Sequence, residues 1–195
     1  MQQPNFLQVT NSLKYAVAFC EANPDLTSSK QYTDRLVQAA EYFERSTRET
    51  DHAYTRWRQL VGEELMAFKV ARRAYDRTCA LADEHGYDDF PNRRFIYTER
   101  DALLSLLNDM ATWLDGIADE WDWVADRAAL HRQHIDEAAK RLKVQKSMYE
   151  SYTVTIKARI SAYEHGVATV REYLSDARRE AEGREGFERA VLDIL

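Results

Sequence analysis

Histidines and glutamates at helical spacing are the residues of this 195-residue chain whose types suggest chemistry. The segment Glu49-Thr-Asp-His52 has an E-x-x-H spacing, and His131, His134 and Glu137 follow one another at intervals of three. Carboxylate and imidazole ligands at this spacing hold metal ions inside helical bundles. The heptad phase described below turns His52 outward and His131 inward. We therefore expect no metal or cofactor site and a core role for His131.

Nucleophilic catalysis lacks its usual motifs in this sequence. There is no G-x-S-x-G elbow, P-loop or G-x-G-x-x-G fingerprint, and 6 glycines are too few for phosphate-binding loops. Cys20 and Cys79 each lie in an apolar helical phase, which favours small buried side chains over a disulfide framework. We expect a protein that is not an enzyme.

Two charged segments carry more information about binding. Residues 115–126 hold acids and no base around Trp123, and an exposed tryptophan among acids suits an anchor for a basic partner. The charged residues in 140–159 are all basic except Glu150. This leaves two alternatives open: a lipid-binding patch, or a face neutralised by acids of a neighbouring helix. Nucleic acid is the weaker candidate because no DNA-reading motif occurs. The basic residues are Lys140, Arg141, Lys143, Lys146, Lys157 and Arg159.

The composition predicts an almost entirely helical protein. Charged residues reach 31% and apolar ones 45%, whereas there are only 6 glycines and 3 prolines to make turns. No apolar run approaches the roughly 20 residues of a membrane span, and no basic, apolar leader begins the chain. We expect a soluble cytoplasmic protein with a net charge of -6.

Helix breakers divide the chain into one short and two long helices within a single domain. Asn23-Pro24-Asp25 ends the first helix, because proline disfavours the helical conformation of the residue before it. Gly86 and the loop around Pro91 separate the two long ones. The expected helices cover about 5–22, 30–85 and 98–182, with a C-terminal tail at 183–195.

A sustained heptad stripe predicts how the long helices pack. Positions spaced alternately by three and four keep one phase along both helices, which is typical of an elongated antiparallel coiled-coil hairpin. The short loop then places residue 31 level with residue 151, and Trp57 and Phe68 against residues 114–125. Glu64, His131 and Trp121 fall on the stripe, and Trp123 falls outside it.

The phase changes beyond Tyr152, and two alternatives follow. The helix either continues to about 182 or breaks near 151–155 and folds back as a fourth helix; the absence of Gly and Pro favours continuity. A continuous helix leaves an apolar stripe without a partner in the same chain, so we expect a homodimer to cover it. The stripe comprises Ile156, Ile160, Tyr163, Val167, Val170 and Leu174.

These patterns favour a structural or interaction protein, a self-associating coiled-coil scaffold or adaptor whose protein partner stays unidentified. One alternative is a peripheral membrane-binding hairpin dimer, which resembles crescent-shaped BAR-type dimers in shape only. The other alternative is a metal-binding helical bundle.

Overall fold

The computed structural model describes residues 5–91 and 100–183, which form four α-helices and contain no strand. The all-α class is thereby confirmed. No helix in these two segments combines the length and apolar content needed to cross a bilayer. The helices are α1 (Phe6–Ala22), α2 (Thr27–Glu84), α3 (Arg100–Gly116) and α4 (Asp122–Ala177).

Local sequence explains where the first two helices begin and end. The side chain of Asn5 accepts a hydrogen bond from the Gln8 amide at 3.2 Å and so satisfies an orphan donor of α1. The helix stops before Pro24, with the Asn23 amide bonded back to the Phe19 and Cys20 carbonyls. After α2, Gly86 adopts a φ of 76°, a left-handed conformation that glycine takes without strain. Of the expected tail, only Gly183 lies within the described residues.

The expected helix over 98–182 is two helices. The chain leaves the helix after Gly116 and makes a turn in which the Glu120 amide donates to the Ile117 carbonyl at 3.0 Å. Gly116 is the local signal for this break, because glycine is among the weakest helix formers. The alternative break near 151–155 is wrong, since α4 runs through that segment.

The four helices divide between two compact units. Unit 1 comprises Met1–Tyr54 with Ser151–Leu195, and unit 2 comprises Thr55–Glu150. Each unit therefore takes one short helix, α1 or α3, and segments of both long helices. Each short helix supplies buried apolar residues to the core of its own unit.

In unit 1, α2 and α4 run in opposite directions. Tyr32 packs against Tyr173 with ring centroids 5.9 Å apart, and Tyr54 against Tyr152 at 5.6 Å. The expectation that residue 31 is level with residue 151 is therefore wrong. It assumed that the whole region after the loop forms the second arm, whereas α3 occupies the first part of that region.

The stripe expected to lack cover is mostly packed inside unit 1. Val170 is fully buried, and Tyr163, Val167 and Leu174 pack against the core that α1 and α2 share with α4. Ile156 is half-buried, and Ile160 remains 37% exposed. The expectation that a continuous helix leaves this stripe without a partner in the same chain is wrong, because α1 and α2 cover most of it. The dimer itself stays a prediction.

In unit 2, α3 supplies the third side of the core. Leu107, Met110 and Leu114 are fully buried in a cluster that also contains Tyr75 of α2 and Val124 of α4. The expectation that Trp57 and Phe68 pack against residues 114–125 is wrong, because α3 occupies the first part of the region that was expected to form the second arm. Trp57 contacts Tyr149 with centroids 5.5 Å apart, and Phe68 packs with Ala138 and Leu142.

Two helical glycines should respond in opposite ways to a larger side chain. A Cβ at Gly166 would lie 3.1 Å from Leu13 Cδ1 and 3.3 Å from Val9 Cγ1, whereas one at Gly62 would meet nothing within 4 Å. We expect Gly166→Leu to lower the free energy of unfolding by about 1–3 kcal/mol through overpacking against α1. Gly62→Ala should raise the free energy of unfolding of the monomer by about 0.5–1 kcal/mol through helix propensity. Urea unfolding of both variants checks this; equal changes would contradict the close α1 contact.

Candidate functional site

His131 is the most deeply buried ionisable ring that the sequence singled out. Its side chain is fully buried in unit 2, and Nε2 lies 2.8 Å from the Thr78 hydroxyl. That hydroxyl donates to the Ala74 carbonyl at 3.0 Å, so Nε2–H must donate to Thr78 Oγ1. Nδ1 is then a bare acceptor, without a hydrogen-bond partner among the described residues.

Burial keeps this imidazole neutral. Desolvation, followed by the nearby His134 and Arg127, lowers the pKa of His131 from 6.5 to about 4. A neutral ring that donates to a threonine suits a structural polar contact in the core. The expected core role of His131 therefore agrees with its geometry.

The other candidate metal ligands are not assembled around His131. Glu49 and His52 belong to unit 1, where they line an open polar groove of about 980 Å³ together with His165. Within the described part of the chain, no group of three or more histidine, cysteine or carboxylate side chains is arranged to hold a metal ion.

The two cysteines are placed as packing residues. Cys20 is buried in unit 1, and Cys79 is half-buried in unit 2. Burial raises the pKa of the Cys79 thiol, which opposes formation of the nucleophilic thiolate.

A buried ion pair that the sequence did not reveal ties α3 to α2. Glu64 lies on the expected stripe, and its side chain is only 2% exposed. Arg100 is the first residue of α3 and donates hydrogen bonds to both carboxylate oxygens of Glu64. Its Nε donates to one oxygen, and its Nη2 donates to the other at 3.3 Å. A charged side chain is tolerated here because its partner completes a bidentate pair.

The stripe predicts a buried Trp121 and an exposed Trp123, and the structure has the more exposed ring at Trp121. Trp123 is half-buried and stacks on His85 with ring centroids 5.4 Å apart, whereas Trp121 is 44% exposed. The break before α4 causes this difference, because it interrupts the helical phase that placed Trp121 inward. The same His85 ring also lies 4.5 Å from the ring of Trp121.

A chain of hydrogen bonds fixes the exposed indole. Trp121 Nε1–H donates to the Tyr87 hydroxyl at 2.8 Å, and that hydroxyl donates to the carboxylate of Glu120. The Tyr87 ring packs edge-on against Trp113 at 5.3 Å, and Trp113 Nε1–H donates to Asp89 at 3.4 Å. We call Trp121, with its neighbours His85, Tyr87, Glu120 and Trp123, the Trp121 platform.

The basic run is only partly neutralised. Arg141 pairs with Glu63 at 2.5 Å and with Glu137 at 2.6 Å. Arg159 approaches Asp51 at 3.8 Å and lies over the Phe6 ring at 4.4 Å. The four lysines of the run, Lys140, Lys143, Lys146 and Lys157, are exposed and form no ion pair with any described residue. The run divides between units, since residues after Glu150 belong to unit 1.

An exposed apolar strip of α2 in unit 2 was not expected from the sequence. Met66 is 58% exposed and Val70 44% exposed, one turn apart on the helix. Both line a groove of about 700 Å³ between α2 and α4, whose other lining residues are Gln59, Gly62, Glu63, Ala67, His134, Glu137 and Arg141. We call these lining residues the α2 groove.

Comparisons of the chain with protein-family models, with curated proteins and with solved structures find no match.

Proposed function

We propose that the protein is a structural or interaction protein, a self-associating helical scaffold or adaptor without catalytic activity. Its long helices are proposed to form an elongated antiparallel coiled-coil pair. The α2 groove is the observation that supports self-association best, because its apolar side chains are exposed although each unit fills its own core. Exposed apolar strips of this kind mark surfaces where helical proteins pack together.

A second copy of this chain is the occupant that the groove fits. In a two-fold antiparallel pairing of α2 centred on Met66, helix geometry places Gly62 of one copy opposite Val70 of the other. The open space at Gly62 leaves room for that valine. The same pairing brings Arg58 within one turn of Asp76 of the second copy, and both residues are exposed.

Changing the apolar character of the α2 groove tests this proposal. We expect Met66→Asp combined with Val70→Asp to convert a dimer into a monomer, because four carboxylates would face one another across the two-fold axis. Both side chains are exposed, so the helical circular-dichroism signal should be retained. Light scattering over a wide range of protein concentrations measures the mass.

The matched control changes exposed apolar residues of α4. Val154, 65% exposed, and Ile160, 37% exposed, receive the same two aspartates. The dimer should persist in this variant if the α2 groove is the interface. A wild-type protein that stays monomeric at every concentration would contradict self-association, whereas dissociation of only the α4 variant would return the interface to the α4 stripe.

A further inference from the structure

We infer that the Trp121 platform is a docking surface for a basic segment of a protein partner, with an arginine or lysine side chain stacked on the open face of Trp121. This inference goes beyond self-association, because it uses residues at the α3–α4 junction and not the α2 groove. It also moves the anchor role expected for Trp123 to the neighbouring tryptophan that is exposed.

The ring of Trp121 is held in place while remaining accessible. Its Nε1–H donates a hydrogen bond to the Tyr87 hydroxyl, and the His85 ring lies 4.5 Å from the indole ring. Even so, 44% of Trp121 is exposed. A partner that covers the exposed part of this ring removes apolar surface from water, which favours binding. A ring already fixed in the free protein loses little conformational entropy on binding, which favours an anchoring role.

Carboxylates near the platform determine the charge of the partner. Glu120 accepts the Tyr87 hydroxyl, and Asp89 accepts the indole N–H of Trp113, whose ring packs against Tyr87. Both carboxylates are therefore located beside the aromatic cluster. Asp88 and Asp119, also exposed, form no ion pair with a described residue. No lysine or arginine occurs in 83–91 or in 113–126.

An aromatic face with an acidic rim selects a cation that can also stack. A guanidinium or ammonium group over an indole gains cation–π attraction, and indole is the best of the protein rings for this contact. Arginine adds planar stacking and a donor fork that matches a carboxylate such as Glu120. An apolar helix would leave the carboxylates desolvated and unpaired, so it fits this surface poorly.

Titration of the full-length chain with short peptides tests the docking surface. The probe is an unstructured synthetic peptide of alternating arginine and glycine, and the comparison peptide has glutamine at each arginine position. Isothermal titration calorimetry should detect binding of the arginine peptide that weakens as salt is added, and much weaker binding of the glutamine peptide. Trp121→Ala should weaken arginine-peptide binding at least ten-fold.

Two further variants keep the test decisive if Trp121→Ala disturbs the fold. Trp121→Phe keeps an aromatic face and should retain most of the binding, whereas Glu120→Gln keeps an acceptor for Tyr87 and should weaken binding several-fold. Tyr149→Ala, at a residue of unit 2 that is 51% exposed, is the control and should bind as the wild type does. Circular dichroism monitors the fold of each variant. Absence of wild-type binding, or equal binding by folded Trp121→Ala, Glu120→Gln and the control, would overturn the inference.

Discussion

Arg100→Met is expected to lower the free energy of unfolding by about 3 kcal/mol, the lower end of the cost of removing one partner from a buried ion pair. The reason is the carboxylate left behind, because Glu64 is only 2% exposed. Arg100 itself is 45% exposed, so water can reach part of the vacated space and moderates the loss. Chemical denaturation at neutral pH measures the change.

A double variant separates the buried charge from the lost packing. Glu64→Met combined with Arg100→Met removes both charges, and we expect it to recover most of the stability lost in the single variant. Arg35→Met is the exposed counterpart, because its partner Glu172 is 53% exposed. Its cost should stay below about 1 kcal/mol. Equal losses for Arg100→Met and Arg35→Met would show that Glu64 is solvated.

Acid is expected to destabilise unit 2 through His131. Its pKa is about 4 in the folded chain and 6.5 in the reference state, so the unfolded chain binds the proton first. Above pH 6.5, His131 is neutral in both states and does not lower the free energy of unfolding. As the pH falls below 6.5 the free energy of unfolding declines, and the loss from this group reaches about 3 kcal/mol once the pH is below 4. The loss arises because a proton on Nδ1 would create a buried charge without a partner.

Comparison with a non-titrating variant isolates this contribution from that of the carboxylates. His131→Gln keeps an amide donor for Thr78 and removes the titrating ring. The free energy of unfolding should therefore fall less steeply between pH 6.5 and 4, because about one proton fewer is taken up on unfolding. His52→Gln, at an exposed histidine of unit 1, should leave the decline as it is in the wild type. Denaturant titrations across this pH range provide the measurement. A His131→Gln profile parallel to that of the wild type would contradict a neutral, buried imidazole.

Some features of the candidate sites follow from nearby residues in the sequence, and others depend on residues that are distant along the chain. The inward position of His131 and Glu64 follows from heptad phase, so the sequence alone predicts it. Their partners, Thr78 and Arg100, lie tens of residues away along the chain, and no spacing rule connects them. The exposure of Trp121 depends on the turn between α3 and α4. A heptad stripe that is continued across this turn predicts the wrong side for Trp121.

The sequence by itself determined the all-helical class, the first helix and the phase of the buried stripes. These follow from local causes: proline and glycine stop helices, and periodic apolar residues assign one face to the core. Only the tertiary structure decided that α3 joins the core of unit 2 while α4 pairs with α2, and that α1 approaches Gly166 in unit 1. A heptad stripe states that a face must be covered. It does not state which helix covers it, because several apolar segments of the same chain compete for that face and the best total packing decides among them.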